Sequence, residues 1–130
     1  MRILGLDPGT RKCGYAVLTG LGDRPLALGI APLADLTATL EDLLARFPIE
    51  MTAIGHGTNS GVVSAQVAAL GIPYVLVDER ETTLRARSRF FADHPPRGWK
   101  RLVPRGMLVP DRPIDDYAAL LIAERYLRAA

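Results

Sequence analysis

The chain of 130 residues holds a single cysteine, Cys13. An internal disulfide is therefore excluded, and a reducing compartment is expected. No uncharged apolar run approaches the length of a membrane span, and the start carries neither the basic stretch nor the small-residue cleavage site of a signal peptide. These absences predict a cytoplasmic protein with no membrane partner. There is no internal repeat. Hydrophobic residues at 48% and charged residues at 23% set the chain apart from disordered and fibrous classes. The length suits one domain over residues 1–130, large enough to bury a core without disulfides or structural metal.

Net charge is also small, at +2, so bulk electrostatics argue only weakly for a polyanionic partner. The distribution is more informative. Between positions 85 and 105 stand Arg85, Arg87, Arg89, Arg97, Lys100, Arg101 and Arg105, against Asp93 alone. A solvated face and a phosphate-binding surface both account for such a run.

Hydrophobic periodicity and turn residues give the order of elements. Residues 2–7 and 14–19 read as the strands of a hairpin around Pro8-Gly9-Thr10-Arg11-Lys12, and 26–30 as a third strand weakened at Gly29. Leu36, Leu40, Leu43, Leu44 and Phe47 share a helical face, with Asp35 as N-cap and Pro48 as stop. Met51 to Gly55 reads as a buried strand, and Ser60 to Leu70 as a helix closed by Gly71. The apolar run Tyr74 to Val77 predicts an interior parallel strand covered on both faces. An Arg-rich helix is expected from Thr82 or Thr83 to Phe91, then an irregular loop from His94 to Pro113. A last helix spans Ile114 to Leu127, with Ile114, Ala118, Leu121, Ile122 and the stem of Arg125 on its packed side. The predicted fold class is α/β, a mixed five-stranded sheet flanked by helices.

Carboxylates mark three element ends: Asp7 after the first strand, Glu79 after the last strand, and Asp115 in the first turn of the last helix. A carboxylate ending a buried strand is costly to desolvate unless cations or hydrogen bonds compensate it. Ligands of sheets with parallel strands bind beyond the carboxyl ends of those strands. If the three acids meet there, they form an oxygen-rich site suited to Mg²⁺ or Mn²⁺. Each acid also has a plainer role: turn former for Asp7, surface partner of Arg80 for Glu79, helix-dipole charge for Asp115 and Asp116.

Ile3-Leu4-Gly5-Leu6-Asp7-Pro8-Gly9-Thr10-Arg11, Val77-Asp78-Glu79-Arg80-Glu81-Thr82-Thr83 and Ile114-Asp115-Asp116-Tyr117-Ala118-Ala119 resemble, in order, the three signature blocks of the YqgF (RuvX) family of RuvC-like pre-16S rRNA nucleases. The resemblance implies an RNase H-like fold and a metal-dependent nuclease. Asp7, Glu79 and Asp115 would be its catalytic acids and metal ligands in a two-metal mechanism. Arg11, Lys12, Arg80, Arg85, Arg89, Lys100 and Arg101 would contact nucleic acid, since guanidinium forks and ammonium groups match phosphate. Thr10, Thr82, Thr83, His56, Asp116 and Trp99 are secondary candidates, as phosphate donors, helix caps, a base near the site or a stacking platform.

Implied partners are structured or precursor RNA, ribosomal precursor particles and, in the alternative, branched DNA, with the protein acting as a monomer or weak homodimer. Two departures from the family pattern matter. Pro8 replaces the residue, often Val, that precedes the first-block glycine, as in RuvC junction resolvases. Gly55-His56-Gly57-Thr58-Asn59 stands where the family tends to carry Leu-Pro, and it holds no acid where RuvC has its second. A junction resolvase, an actin-like ATPase and a non-catalytic nucleic-acid adaptor are the competing readings.

Overall fold

The computed structural model describes residues 2–57, 59–78, 82–94 and 114–129, with backbone only at 82–85 and 87. A five-stranded sheet has the order β3-β2-β1-β4-β5. β1 is Arg2–Pro8, β2 Lys12–Leu18, β3 Ala27–Pro32, β4 Ile49–Gly55 and β5 Tyr74–Val77. β1, β2 and β3 pair antiparallel as consecutive hairpins, while β4 pairs parallel to β1 and β5 parallel to β4. The helices are α1 (Leu36–Arg46), α2 (Ser60–Ala69), α3 (Thr82–Asp93) and α4 (Asp115–Ala129), and a 3₁₀ turn at Leu33–Asp35 leads into α1. This is the mixed five-stranded α/β sheet expected from the element order.

The alternation of β-strand side chains divides the core into two layers. Leu4, Leu6 and Val17 face α1 and α2, where they join Leu36, Leu40, Leu43, Ile54, Val63 and Val67. Ile3, Ala16 and Leu18 face the other way, onto Ala86, Phe90 and Phe91 of α3 and Tyr117, Ala119, Leu120 and Ala123 of α4. Each large aliphatic side chain buried in this way contributes about 1.5–3 kcal/mol.

On the second layer the backbones of sheet and helix nearly touch. A Cβ at Gly5 would overlap the Ala119 carbonyl oxygen, and one at Gly14 would overlap that of Asp115. Gly5 and Gly14 are the absent side chains that let α4 lie flat on β1 and β2.

Several expectations need correction. β2 starts at Lys12 rather than 14, because Asp7 and Pro8 remain in the ladder opposite Gly14 and Cys13 and the turn shrinks to Gly9–Arg11. β5 is an edge strand, not an interior one. Among the described residues β4 is the one strand paired with it, and one of its faces is open, with Tyr74 41% and Leu76 49% exposed. Asp35 occupies the N-cap position of α1 without a side-chain capping hydrogen bond. On α4, Arg125 is exposed and Leu121 half-buried, whereas Asp116 to Leu120 and Ile122 to Glu124 are buried. α4 is covered by the sheet on one side and α3 on the other, so its buried arc is wider than a single stripe. The loop expected over 94–113 lies outside the described residues except for His94, whose ring stacks on Phe90 at 4.5 Å between centroids.

Gly14→Ala should destabilise the fold by about 2–3 kcal/mol, because a backbone carbonyl has to move to admit the methyl group. Gly61→Ala, in α2 with open space around its Cβ position, should be neutral or stabilising by up to about 1 kcal/mol. Urea unfolding of the two variants checks both, and equal stabilities would refute the close-approach argument.

Candidate functional site

The carboxyl ends of the parallel strands β1, β4 and β5 lie at one edge of the sheet. Asp7 is the penultimate residue of β1, His56 follows β4, and Asp78 follows β5. The His56 N–H donates to the Val77 carbonyl at 2.8 Å, which locks the last two strand ends together. The N-terminus of α4 arrives at the same edge. Asp7 pairs across the ladder with Gly14, and the backbone of Gly14 lies against the Asp115 carbonyl. By strand alternation Asp7 points to the α4 side, as Ile3 and Gly5 do. Asp7 and Asp115 therefore both lie beside Gly14.

Lys12 belongs to the same face, two residues before Gly14. Its Nζ lies 3.3 Å from Asp115 Oδ2, with side chains 43% and 34% exposed. The turn that carries it is fixed from two directions. The Gly9 N–H donates to the Lys12 carbonyl at 2.9 Å, and Asn59 Nδ2, at the start of α2, donates to the Gly9 carbonyl at 2.6 Å. Thr10 and Arg11 are left exposed at the tip, and the Arg11 carbonyl accepts from the Leu33 N–H at 2.9 Å.

Behind the acids, on the α1 and α2 side, the Cys13 thiol is fully buried. Its pKa is pushed up to about 12, first by burial and then by the Asp7 carboxylate, with a backbone hydrogen bond at Asp7 opposing the rise and Asp115 adding a smaller upward push. Both carboxylates thus act on one thiol, a second sign that they converge. Cys13 is thus a small buried residue, and it is inert as a nucleophile.

The other candidates have separate placements. Asp116 is buried, and its Oδ1 accepts from the Tyr117 N–H at 2.9 Å, so it serves the first turn of α4. Arg89 is engaged inside the protein: its Nη1 lies 2.7 Å from Oε1 of the buried Glu124 on α4. His56 is exposed at the strand edge. Glu79, Arg80, Trp99, Lys100 and Arg101 lie outside the described residues, as do the side chains of Thr82, Thr83 and Arg85. Among the described residues no group of three or more His, Cys, Asp or Glu side chains is placed to hold a metal ion. The described part of the site consists of Asp7 and Asp115, with Lys12 as its cation. Asn59, which anchors the turn, was not singled out from sequence, since an Asn after a Gly-rich run reads as an ordinary loop residue.

Known proteins resemble this chain in sequence and in fold. A Streptococcus pyogenes serotype M2 protein named "Putative pre-16S rRNA nuclease" is 30% identical over 145 aligned positions, covering 98% of this chain and 97% of that one. The chain belongs to the YqgF family. RuvC of Helicobacter pylori strain 26695, a crossover junction endodeoxyribonuclease, is 38% identical over 83 positions, which cover 51% of this chain and 52% of RuvC. Thermus thermophilus RuvC, in a structure with a Holliday junction substrate, superposes with a TM-score of 0.65 at 19% identity over the whole chain and 97% of RuvC. That likeness establishes the RNase H-like fold. No family model matches the sequence. Among the described residues, no helix is long and apolar enough to cross a membrane.

Two measurements test this placement. In the native protein at pH 8, Cys13 should resist iodoacetamide for hours and react fully in guanidinium, as read by mass spectrometry; rapid native labelling would contradict its burial. Arg89→Met strands the Glu124 carboxylate in the core and should cost about 2 kcal/mol, less than a fully buried pair because Arg89 is partly exposed. Melting curves of Arg89→Met and of Arg89→Met with Glu124→Met separate the two situations, since the double variant should recover most of the loss.

Proposed function

We propose that residues 1–130 form one nuclease domain that hydrolyses phosphodiester bonds with Mg²⁺ or Mn²⁺, in processing the 5′ end of precursor 16S rRNA. The observation that supports this reading is the position of Asp7 and Asp115, each beside Gly14, at the carboxyl edge of the parallel strands, in a chain of the YqgF family. The residues present suit a hard cation. They offer carboxylate oxygens, the thiol nearby is buried and protonated, and Asp115 already accepts a cationic group from Lys12. Asp7 and Asp115, together with Glu79, would hold the metal. When bound, such ions lower the pKa of an attacking water and neutralise charge on the leaving oxygen.

The chain's own side chains then have distinct tasks. Asp7 and Asp115 act as ligands, not as nucleophiles, and the α4 contact at Gly14 keeps them in register. Arg11 and Thr10, exposed on the anchored turn, are the proposed contacts for a phosphate backbone. Arg80, Arg85, Lys100 and Arg101 extend that basic surface in the proposal, with Trp99 as a stacking side chain. Arg89 has less to give, since Glu124 occupies it. Precursor ribosomal particles are the proposed partners, and the protein works in the cytoplasm as a monomer or weak homodimer.

A second reading, resolution of branched DNA, is favoured by the 38% identity to RuvC over half of the chain and by the Asp7-Pro8-Gly9 opening. Cleavage assays with Mn²⁺ on a precursor 16S rRNA fragment and on a four-way DNA junction distinguish the readings. Asp7→Asn should reduce cleavage at least 100-fold while leaving the melting temperature within a few degrees. Unchanged cleavage would refute the metal-site assignment.

A further inference from the structure

Among the described residues, Lys12 pairs with one of the two candidate acids. It opens β2 immediately after the Gly9–Arg11 turn, on the same face as Gly14, and its ammonium sits 3.3 Å from Asp115 Oδ2. Neither partner is free to drift far at its backbone. The turn is tied by Asn59 to α2, and Asp115 is pressed onto Gly14. The lysine side chain is the mobile part, a compact charge on a flexible four-carbon stem. The pair is also wet enough, at 43% and 34% side-chain exposure, for solvent to let it open.

Resting on the metal-site reading above, we infer that Lys12 is a built-in counter-cation that competes with the divalent metal for Asp115 and is drawn off by the phosphates of the nucleic acid. A divalent ion on either oxygen of the Asp115 carboxylate would neutralise the charge that holds Lys12 and repel its ammonium at close range. Metal entry therefore weakens the hold of Asp115 on Lys12. The released ammonium stands beside the exposed Arg11 turn, where a phosphate backbone is its alternative partner. Nucleic acid that captures Lys12 frees Asp115, and metal that occupies Asp115 frees Lys12 for nucleic acid. The two ligands thus promote each other's binding through one side chain, with the reciprocity that linkage demands. Without nucleic acid, the same lysine limits metal loading and keeps the acids compensated.

The test is Mn²⁺ calorimetry on the full chain, without nucleic acid and then with a non-cleavable phosphorothioate oligonucleotide. Lys12→Met should bind Mn²⁺ alone about fivefold more tightly than wild type, the size expected for loss of a partly exposed competing ion pair. The oligonucleotide should tighten Mn²⁺ binding to the wild type, and clearly less to Lys12→Met. Lys12→Arg should keep the wild-type pattern, and thermal melts establish that each variant is folded. Equal Mn²⁺ affinity in wild type and Lys12→Met, with Asp115→Asn weakening both, would overturn the role of Lys12 while leaving the metal site standing. Mn²⁺ binding that is absent, or indifferent to Asp115→Asn, would overturn the metal site and this inference with it.

Discussion

The contact between α4 and the first hairpin governs the rest of the structure. A helix normally keeps its distance from a sheet by the length of the side chains between them, and here Gly5 and Gly14 remove that spacer at two places. The result is a backbone-to-backbone seat for α4. It buries Ala119, Leu120 and Ala123, positions Tyr117 to close the layer against Phe90 of α3, and fixes the first turn of α4 at the sheet edge. An acid at the start of this helix is placed by main-chain packing rather than by its own side-chain contacts. Precision of this kind suits a ligand whose neighbour comes from a different strand.

Charge is handled differently in the two halves of the α3–α4 layer. Away from the sheet edge, Arg89 and Glu124 are paired at 2.7 Å, and the Tyr117 hydroxyl donates to Asp93 at 2.9 Å. These pairs tie α3 to α4. At the edge, the Lys12–Asp115 pair is partly exposed, with side chains 43% and 34% accessible, and Arg11 stands exposed beside it. The Glu124 carboxylate is shielded by the α3–α4 packing, and the pair at the edge is open to solvent.

Much of this was legible in the sequence. Breaker residues at Pro8-Gly9 and the period-four leucines of α1 identified the hairpin and the first helix, and the strand-helix alternation gave the parallel half of the sheet. The signature blocks pointed to Asp7 and Asp115 before their approach could be seen. What the sequence concealed were distances across the chain. That Gly14 is a seat for a helix one hundred residues later is not written in its neighbours, and neither is the partnership of Lys12 with Asp115. β5 misled for a related reason: Tyr74-Val75-Leu76-Val77 has the composition of an interior strand, and composition does not say whether another strand lies beside it. On α4, a one-stripe reading failed because the helix is covered from two directions.

The edge position of β5 has a consequence for the order in which the parts become firm. Four residues hydrogen-bonded to one neighbour form the least supported stretch of the sheet, and such stretches open and close ahead of the core. The Val77 carbonyl also accepts the His56 N–H that follows β4, so opening of this strand loosens the end of β4 as well, whereas Asp7 and Asp115 belong to the central seat. The sheet therefore softens from its β5 side inward, and the seat of α4 is the part that such opening reaches last.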